Sequence, residues 1–177
     1  MKNCLIIGNK NAITYKEVFP LFKTKNVRLG YGVVKTFNTK DRTRDFGNVG
    51  WYTTLPVTDK EPLVLTARYS PEKYPKYDNY NAIEVGALKD IPFDYSGVMG
   101  VPITILDKNL DRVEIIGRSH NIEFAQSDKC FFFNEPNDEE CKKFKAQNKT
   151  WRRQVPYIVE NGIAKSFYNR IFIRKVK

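Results

Sequence analysis

The sequence predicts a strand-rich α/β protein, with a mixed sheet and few helices. Short apolar runs separated by turn residues recur along the chain, and 14% of its 177 residues are aromatic, a composition typical of strands. The first apolar run, residues 4–7, ends at Gly8 and is followed by a segment with helical spacing. We expect residues 4–7 to form a buried strand, with ligand-binding side chains at its carboxyl end if the sheet is parallel.

Residues 14–25 predict the first helix, because Tyr15, either Val18 or Phe19, and Phe22 fall on one helical face. Pro20 leaves two alternatives, since it lacks a backbone donor. Either a kinked helix begins at a capping box formed by Thr14 and Glu17, or the helix begins near Phe19 with Pro20 in its first turn.

The rest of the chain alternates between predicted strands and polar segments. Residues 171–173 are apolar on both faces, as in a central strand, and are expected in the same sheet as residues 4–7. A hairpin is predicted at 158–165, turning on Asn161. Loops are predicted at 35–48 and 69–80, and a charged helix or a disordered loop at 137–149. Further strands are predicted at 27–34, 49–54, 63–67, 82–85, 97–106, 113–117 and 129–133.

The composition favours a polyanionic partner. The formal net charge is +10, made up of +7 from residues 1–60, −2 from residues 61–120 and +5 from residues 121–177. Such a basic chain is typical of nucleic-acid binding, although a solvated basic surface gives the same pattern.

Other protein classes find little support in the sequence. The three cysteines, Cys4, Cys130 and Cys141, lack paired spacing, and His120 is the only histidine, so we expect neither a disulfide framework nor a metal site. No apolar run approaches the roughly 18 residues needed to span a bilayer, and no leader peptide is recognisable. We therefore expect a soluble, cytoplasmic protein without a membrane partner.

Six segments, in order, resemble one enzyme family. They read GNKNAITYKE, LGYG, WYTTL, YPKYDNYNAIEV, KDIPFDYSGVMGVPITILDK and RIFIR. Together they resemble the EcoRI-type adenine-specific DNA methyltransferases, type II modification methylases of restriction-modification systems. The resemblance covers most of residues 3–117 and the last strand, and is weak over 118–169.

The resemblance implies methylation of adenine N6 in duplex DNA, with S-adenosylmethionine as the methyl donor. The catalytic Asn/Asp-Pro-Pro-aromatic motif and the cofactor loop of the family lie upstream of the GNKNA segment, and this sequence contains neither. The chain therefore resembles the carboxyl-terminal part of a Rossmann-like methyltransferase fold. We expect a single domain over 1–177, with a family-like sheet and DNA-contact region at 1–117 and a variable segment with a closing strand at 118–177.

A polar cluster follows the first predicted strand: Asn9, Asn11, Thr14 and Tyr15. Amide side chains match the N7 acceptor and N6 donor of an adenine edge, and aromatic faces can hold a flipped base. Asparagines also cap helices and form turns, which is the alternative. Since the resemblance places this turn beside the catalytic loop, we assign the cluster to the edge of a target-base pocket.

Basic and aromatic segments supply candidate DNA contacts. Lysine and arginine neutralise phosphates, and tyrosines in a cation-containing loop can stack on bases. Lys76 and Asn79 are preferred over the neighbouring tyrosines because they have less reason to be buried. The full candidate set is Lys35, Lys40, Arg42, Arg44, Lys76, Asn79, Arg152 and Arg153.

Three partners are expected: double-stranded DNA, an amino-terminal catalytic half on the same or a separate polypeptide, and a second copy docked at an exposed sheet edge. The isolated chain is expected to be inactive and to bind no cofactor by itself. The alternatives are a subunit of a split methyltransferase and a nucleic-acid-binding or interaction module without catalysis.

Overall fold

The computed structural model describes residues 3–32, 35–57, 60–119, 156–161 and 163–176. The described chain is rich in strands, has few helices and contains a mixed sheet, as predicted. It divides into two compact units, Met1–Pro62 with Leu106–Asn109, and Leu63–Ile105 with Leu110–Lys177. The single-domain organisation remains a prediction, as does kinship with a Rossmann-like fold.

The first unit is built on a three-stranded antiparallel sheet, in the order β1-β5-β2. Its core is aromatic, because Phe22 packs edge-on against Tyr52 with ring centroids 5.7 Å apart. A 3₁₀-helix at Lys10–Thr14 follows β1 and buries Ile13. The elements are β1 (Leu5–Asn9), α1 (Phe19–Lys23), β2 (Arg28–Leu29), β3 (Thr36–Asn38), β4 (Thr43–Asp45) and β5 (Val49–Thr53).

The prediction of a buried first strand is wrong. Residues 4–7 do contribute to a strand, but β1 is an edge strand paired antiparallel to β5. Leu5 is 58% exposed and Ile6 57% exposed, and because consecutive strand residues point to opposite faces, both faces are uncovered. A continuous apolar run gives no information about which neighbours a strand will have, so it could not distinguish an edge strand from a central one.

The first α-helix follows the second of the two predicted alternatives. It begins at Phe19, after Val18 as N-cap, and Pro20 lies in its first turn, where a missing N–H breaks no helical hydrogen bond. The capping box does not form. Thr14 instead donates its hydroxyl to the carbonyl of Asn11 at 2.8 Å, within the preceding 3₁₀-helix.

The prediction of a loop at 35–48 is also wrong. Residues 36–45 form an antiparallel hairpin of β3 and β4, with Phe37 opposite Arg44. Its tip is a two-residue turn, closed by the backbone of Thr39 donating to the carbonyl of Arg42 at 2.9 Å. Apolar periodicity could not reveal this hairpin, because Phe37 is the only apolar residue within its paired strands.

The second unit contains a four-stranded mixed sheet in the order β6-β7-β11-β8. Its strands β6 and β7 are parallel, and the other pairs are antiparallel. The central position of β11 confirms the prediction for residues 171–173, which are at most 1% exposed. The prediction that they share a sheet with residues 4–7 is wrong. The elements are β6 (Ile83–Glu84), β7 (Met99–Pro102), β8 (Val113–Arg118), β9 (Tyr157–Glu160), β10 (Ile163–Ser166) and β11 (Arg170–Lys175).

The tyrosine-rich loop at 69–80 is ordered by burial of its aromatic rings. Tyr77 lies across β7 at Gly100, where a β-carbon would come within 2.5 Å of the tyrosine hydroxyl. Glycine is therefore required at this close approach. Tyr77 also donates to the carboxylate of Glu84, which in turn accepts two hydrogen bonds from Arg170, at 3.0 and 2.7 Å.

The remaining strand predictions have mixed outcomes. Those at 49–54, 82–85 and 113–117 are confirmed within two residues, as is the hairpin at 158–165, where Asn161 takes a positive φ of 52°. The strand at 27–34 is reduced to β2, and 97–106 becomes β7 followed by a 3₁₀-helix. Residues 63–67 form no strand and contain only one isolated bridge, from Ala67 to Pro92. Predictions for 129–133 and 137–149 lie outside the described residues.

Candidate nucleic-acid interface

Three asparagines form one hydrogen-bonded cluster at the end of β1. The amide nitrogen of Asn48 donates to the side-chain oxygen of Asn11 at 2.7 Å and to that of Asn9 at 3.3 Å. Asn9 also accepts from the backbone nitrogen of Asn11 at 2.8 Å, which caps the 3₁₀-helix. The predicted capping role of asparagine is therefore real, and it coexists with a clustered arrangement of amides.

Asn48 is the member of this cluster that the sequence did not reveal. It lies in the segment predicted as a loop, at the position just before β5, and its carbonyl accepts from the backbone nitrogen of Lys10 at 2.8 Å. The one available signal was its place between Gly47 and a predicted strand. The antiparallel pairing of β1 with β5, which brings Asn48 to Asn9, could not be deduced from spacing.

Tyr52 fixes the end of β1 through a hydrogen bond to its last residue. Its hydroxyl donates to the carbonyl of Asn9 at 2.6 Å. Burial raises the pKa of Tyr52 to about 12, so this hydroxyl stays protonated and remains a donor over the physiological range. The turn that carries the asparagines is thereby fixed to the core of its unit.

The two other predicted members of the cluster differ in whether their side chains are free to contact a ligand. Tyr15 is 58% exposed and presents an open ring face for stacking. Thr14 donates its hydroxyl to the carbonyl of Asn11, which makes it part of the turn. Asn11 is half-buried, and Asn9 is exposed. The exposed edge thus offers amide groups and one aromatic ring, a combination suited to a nucleobase edge and its face.

The hairpin of β3 and β4 has two chemically different faces. Residues directly opposite each other in an antiparallel pair share a face, and successive residues alternate. We define the basic face as Lys35, Phe37, Thr39, Arg42, Arg44 and Phe46. The opposite face, which we call the polar face, consists of Thr36, Asn38, Thr43 and Asp45.

The polar face is satisfied by its own hydrogen bonds. Thr36 donates to Asp45 at 2.7 Å, and Thr43 donates to Asn38 at 2.9 Å. The single acidic residue within the paired strands, Asp45, is therefore held on the side away from the arginines. These cross-strand bonds also help a hairpin without a hydrophobic core to keep its register.

The basic face surrounds an open cavity of about 360 Å³, lined by Phe37, Thr39, Arg42, Arg44, Phe46 and Val49. Its floor is an edge-to-face pair of Phe37 and Phe46, with ring centroids 5.3 Å apart. Phe46 is 44% exposed. Within the described part of the chain, the cations of this face make no ion pair.

The basic face and the asparagine cluster are adjacent. Phe46 lies two residues before Asn48, and Val49 both lines the cavity and pairs with Asn9 in the sheet. The structure therefore brings together, in one unit, two sets of candidate residues that are separate in the sequence. Lys40 is exposed at the tip of the same hairpin.

Two of the remaining predicted DNA contacts, Lys76 and Asn79, belong to the second unit. Lys76 is exposed in the second unit, whereas Asn79 is 0% exposed. The expectation that Asn79 would be exposed is wrong, because its side-chain oxygen accepts from the backbone nitrogen of Tyr157 at 3.1 Å. Arg152 and Arg153 lie outside the described residues.

A second cavity in the first unit, of about 310 Å³, tests the fit to S-adenosylmethionine. Its lining includes Lys10, Lys60, Lys108, Glu61 and Asp107. Both carboxylates are engaged, Asp107 with Lys10 at 3.1 Å and Glu61 with Lys108. A free acid for the ribose and a glycine-rich turn are the usual requirements of such a site. The lining does include Gly30 and Gly32, but its three lysines and its two ion-paired carboxylates leave no free acid for the ribose. The lining therefore does not fit the cofactor, and we place no cofactor on it.

Neither a metal centre nor a membrane-crossing helix is found among the described residues. They contain no cluster of three or more histidine, cysteine, aspartate or glutamate side chains arranged to hold a metal ion. None of the helices that the structure describes has both the length and the hydrophobicity needed to cross a membrane.

Comparison with known proteins identifies a matching family and several relatives. A sequence model described as adenine-specific methyltransferase EcoRI matches residues 1–176. The type II methyltransferase M.EcoRI of Escherichia coli is 44% identical over 138 residues, which are 65% of this chain and 42% of the relative. No solved structure matches.

Two mycoplasma proteins are more distant relatives. The type II methyltransferase M.MgeORF184P of Mycoplasma genitalium is 31% identical over 129 residues, covering 60% of this chain and 41% of the relative. M.MpnI of Mycoplasma pneumoniae is also 31% identical over 129 residues, covering 60% of this chain and 40% of the relative. The chain thus spans about two-fifths of the length of the curated relatives that it matches.

Proposed function

The chain belongs to the EcoRI family of adenine-specific methyltransferases, and on that premise we propose that it is the DNA-engaging part of an enzyme that methylates adenine N6 in duplex DNA. The observation that carries the proposal is the match of residues 1–176 to this family, together with an unpaired basic face beside a cluster of asparagines. Duplex DNA is the proposed substrate and partner.

The basic face would supply the phosphate contacts. Lys35, Arg42 and Arg44 are exposed, and their charges are not compensated by described carboxylates. Lys40 extends the same positive surface at the hairpin tip. Cations of this kind bind the DNA backbone by releasing its counterions, without reading sequence. Lys76, Arg152 and Arg153 remain proposed additional contacts.

The asparagine cluster would form one edge of the target-base pocket. Asn11 is the central candidate, because Asn48 occupies only one hydrogen-bonding position on its side-chain oxygen and an amide can pair with adenine at N6 and N7. Asn9 and Thr14 would hold the turn. Tyr15 would stack on the base, as aromatic side chains do for extruded nucleotides.

Methyl transfer itself would need a further part of the enzyme. The sequence has no Asn/Asp-Pro-Pro-aromatic motif, and the relatives have more than half of their length outside the match. We assign the catalytic motif and S-adenosylmethionine to that further part, whether it lies on the same or a separate polypeptide. The exposed apolar strand β1 favours an additional protein partner at this edge, because such edges pair readily.

A binding assay with a triple variant tests the proposal. We expect the chain to bind a fluorescent duplex of about 20 base pairs weakly at low salt, with little sequence preference, because the pocket that fixes the base is incomplete. Replacing Lys40, Arg42 and Arg44 by alanine removes three cations of the hairpin. Fluorescence anisotropy should show at least a roughly tenfold weaker affinity, by analogy with other phosphate contacts.

The matched control removes three exposed cations from the second unit, Lys89, Arg112 and Arg174. The net charge changes equally, so a difference between the two triple variants reports position rather than overall charge. Equal affinity of the hairpin variant and the parent would contradict the assignment of these residues. Absence of duplex binding by the parent would contradict the proposed function itself.

A further inference from the structure

The two faces of the β3–β4 hairpin differ in charge and in their hydrogen bonding. The basic face carries three cations and an aromatic pair, and the polar face has an acid and three neutral side chains that hydrogen-bond to one another in pairs. A ligand that contacts one particular face of the hairpin would need the cations to lie together on that face. Charge alone, spread over the hairpin, would serve a diffuse attraction equally well.

The hairpin also has the dimensions of a groove-binding element. Two antiparallel strands lie about 5 Å apart, and the major groove of B-form DNA, about 12 Å wide, admits a two-stranded ribbon. The tip is tight, with a two-residue turn closed by the backbone and hydroxyl of Thr39 against Arg42. No bulky loop at the end would obstruct entry.

We propose that the basic face of this hairpin lies in the major groove of duplex DNA, with Arg42 and Arg44 reaching base edges while Lys35 and Lys40 contact the flanking phosphates. This inference deepens the proposed function and rests on it. Arginine is suited to the inner position because its planar fork can pair with guanine O6 and N7. The aromatic floor of Phe37 and Phe46 supplies an apolar surface on which the arginine stems can pack.

The face assignment is tested by one substitution made on each side. Thr39→Glu adds a negative charge to the basic face, and Thr43→Glu adds the same charge to the polar face, four residues away. Each removes side-chain hydrogen bonding within the hairpin. We expect Thr39→Glu to weaken binding to a mixed-sequence duplex by at least about tenfold more than Thr43→Glu. The reason is that Thr39→Glu places a carboxylate against the negatively charged DNA phosphates.

A second measurement identifies the groove without any variant. The full chain should displace methyl green, a major-groove dye, from a duplex, and should bind an A·T-rich duplex saturated with netropsin, a minor-groove ligand, within about twofold of the free duplex. Circular dichroism and thermal melting would accompany the variants. This groove assay remains decisive even if Thr39→Glu fails to fold.

Different outcomes would overturn the groove assignment and the proposed DNA-binding function. Equal losses of affinity from the two variants, or netropsin competition without displacement of methyl green, would overturn the groove assignment while leaving DNA binding intact. Single-stranded RNA is the alternative ligand. If the chain bound it more tightly than duplex DNA, and Thr39→Glu weakened that binding more than Thr43→Glu, the choice of DNA would be overturned. Failure of the parent to bind any duplex would overturn both proposals.

Discussion

At the residue scale, the most informative side chains are those whose partners lie far away in sequence. Asn48 and Tyr52 meet Asn9 only because β5 returns antiparallel to β1. The sequence could nominate Asn9 and Asn11, since both follow an apolar run within one turn. It could not nominate Asn48, since a contact across 37 residues depends on strand pairing that local pattern does not encode.

Burial was the residue property that the sequence predicted least well. The polarity of Asn79 predicts an exposed side chain, yet Asn79 is fully buried and hydrogen-bonded to the backbone of Tyr157. Leu5 and Ile6 show the reverse, because they are apolar and predicted to be buried but are exposed. A side chain's polarity sets the cost of burying it, but a backbone partner can offset that cost.

Replacing Tyr52 by phenylalanine should change how stability depends on alkaline pH. Burial raises the pKa of Tyr52 from 10.0 to about 12. Between those values the unfolded chain releases this proton and the folded chain retains it, so the free energy of unfolding falls as pH rises. Urea denaturation at about pH 9 and about pH 11 should show a smaller difference for Tyr52→Phe than for the parent.

Tyr168→Phe serves as the control, since Tyr168 is 67% exposed. It should retain the alkaline loss of stability seen in the parent. The Tyr52 variant should also be less stable near neutral pH, by about 1 kcal/mol, because the hydroxyl no longer donates to Asn9. An unchanged pH dependence would show that Tyr52 ionises as freely in the folded chain as in the unfolded one.

The ion pair of Glu84 and Arg170 should contribute strongly to the stability of the second unit. Glu84 is 7% exposed, and its carboxylate receives two hydrogen bonds from the guanidinium and one from Tyr77. Glu84→Gln leaves the arginine charge without its counter-charge, which should cost about 3 kcal/mol. The midpoint of urea unfolding measures this destabilisation.

Glu61→Gln is the matched control, since it breaks an ion pair with Lys108 in which the Glu61 side chain is 79% exposed. Exposed pairs contribute little, so its unfolding midpoint should equal that of the parent. Comparable destabilisation by the two glutamine variants would mean that burial does not distinguish the two pairs.

At the element scale, strands with a clear alternation or an apolar run were predictable, and the hairpin of β3 and β4 was not. Residues 49–54, 113–117 and 171–173 carry the apolar side chains that fill a core, and each is a strand. The β3–β4 hairpin instead satisfies its backbone without burying a hydrophobic layer. Its sequence therefore lacked the signal on which strand prediction depends.

The exposed strand β1 should promote association of the chain with itself. Ile6 is 57% exposed, as part of an apolar edge strand, and an uncovered edge of this kind can pair with another copy. We expect the parent to dimerise through this edge, and Ile6→Lys should shift that equilibrium toward monomer in sedimentation equilibrium. Val64→Lys changes a residue of similar exposure, 61%, outside any strand and should leave the dimer unchanged. A parent that remains monomeric at every concentration would contradict this role of β1.

At the scale of the whole molecule, the overall composition of the fold was predictable, while its connectivity was not. The strand-rich character, the scarcity of helices and the mixed sheet follow from composition and apolar spacing. The assignment of β1 and β11 to separate sheets depends on long-range pairing. The family was recognisable from six sequence motifs in a fixed order, which are informative even where the spacing of apolar residues is not. The match to residues 1–176 confirms the family.

The salt dependence of duplex binding tests the central claim, that this chain engages DNA through the cations of its hairpin. The logarithm of the binding constant should fall linearly with the logarithm of salt concentration between roughly 50 and 200 mM. Replacing Lys40, Arg42 and Arg44 by alanine should lower both the affinity and the steepness of that line, by about one unit of slope for each phosphate that is no longer neutralised. A binding constant that does not change with salt, or a variant with the parent's slope and affinity, would contradict the account.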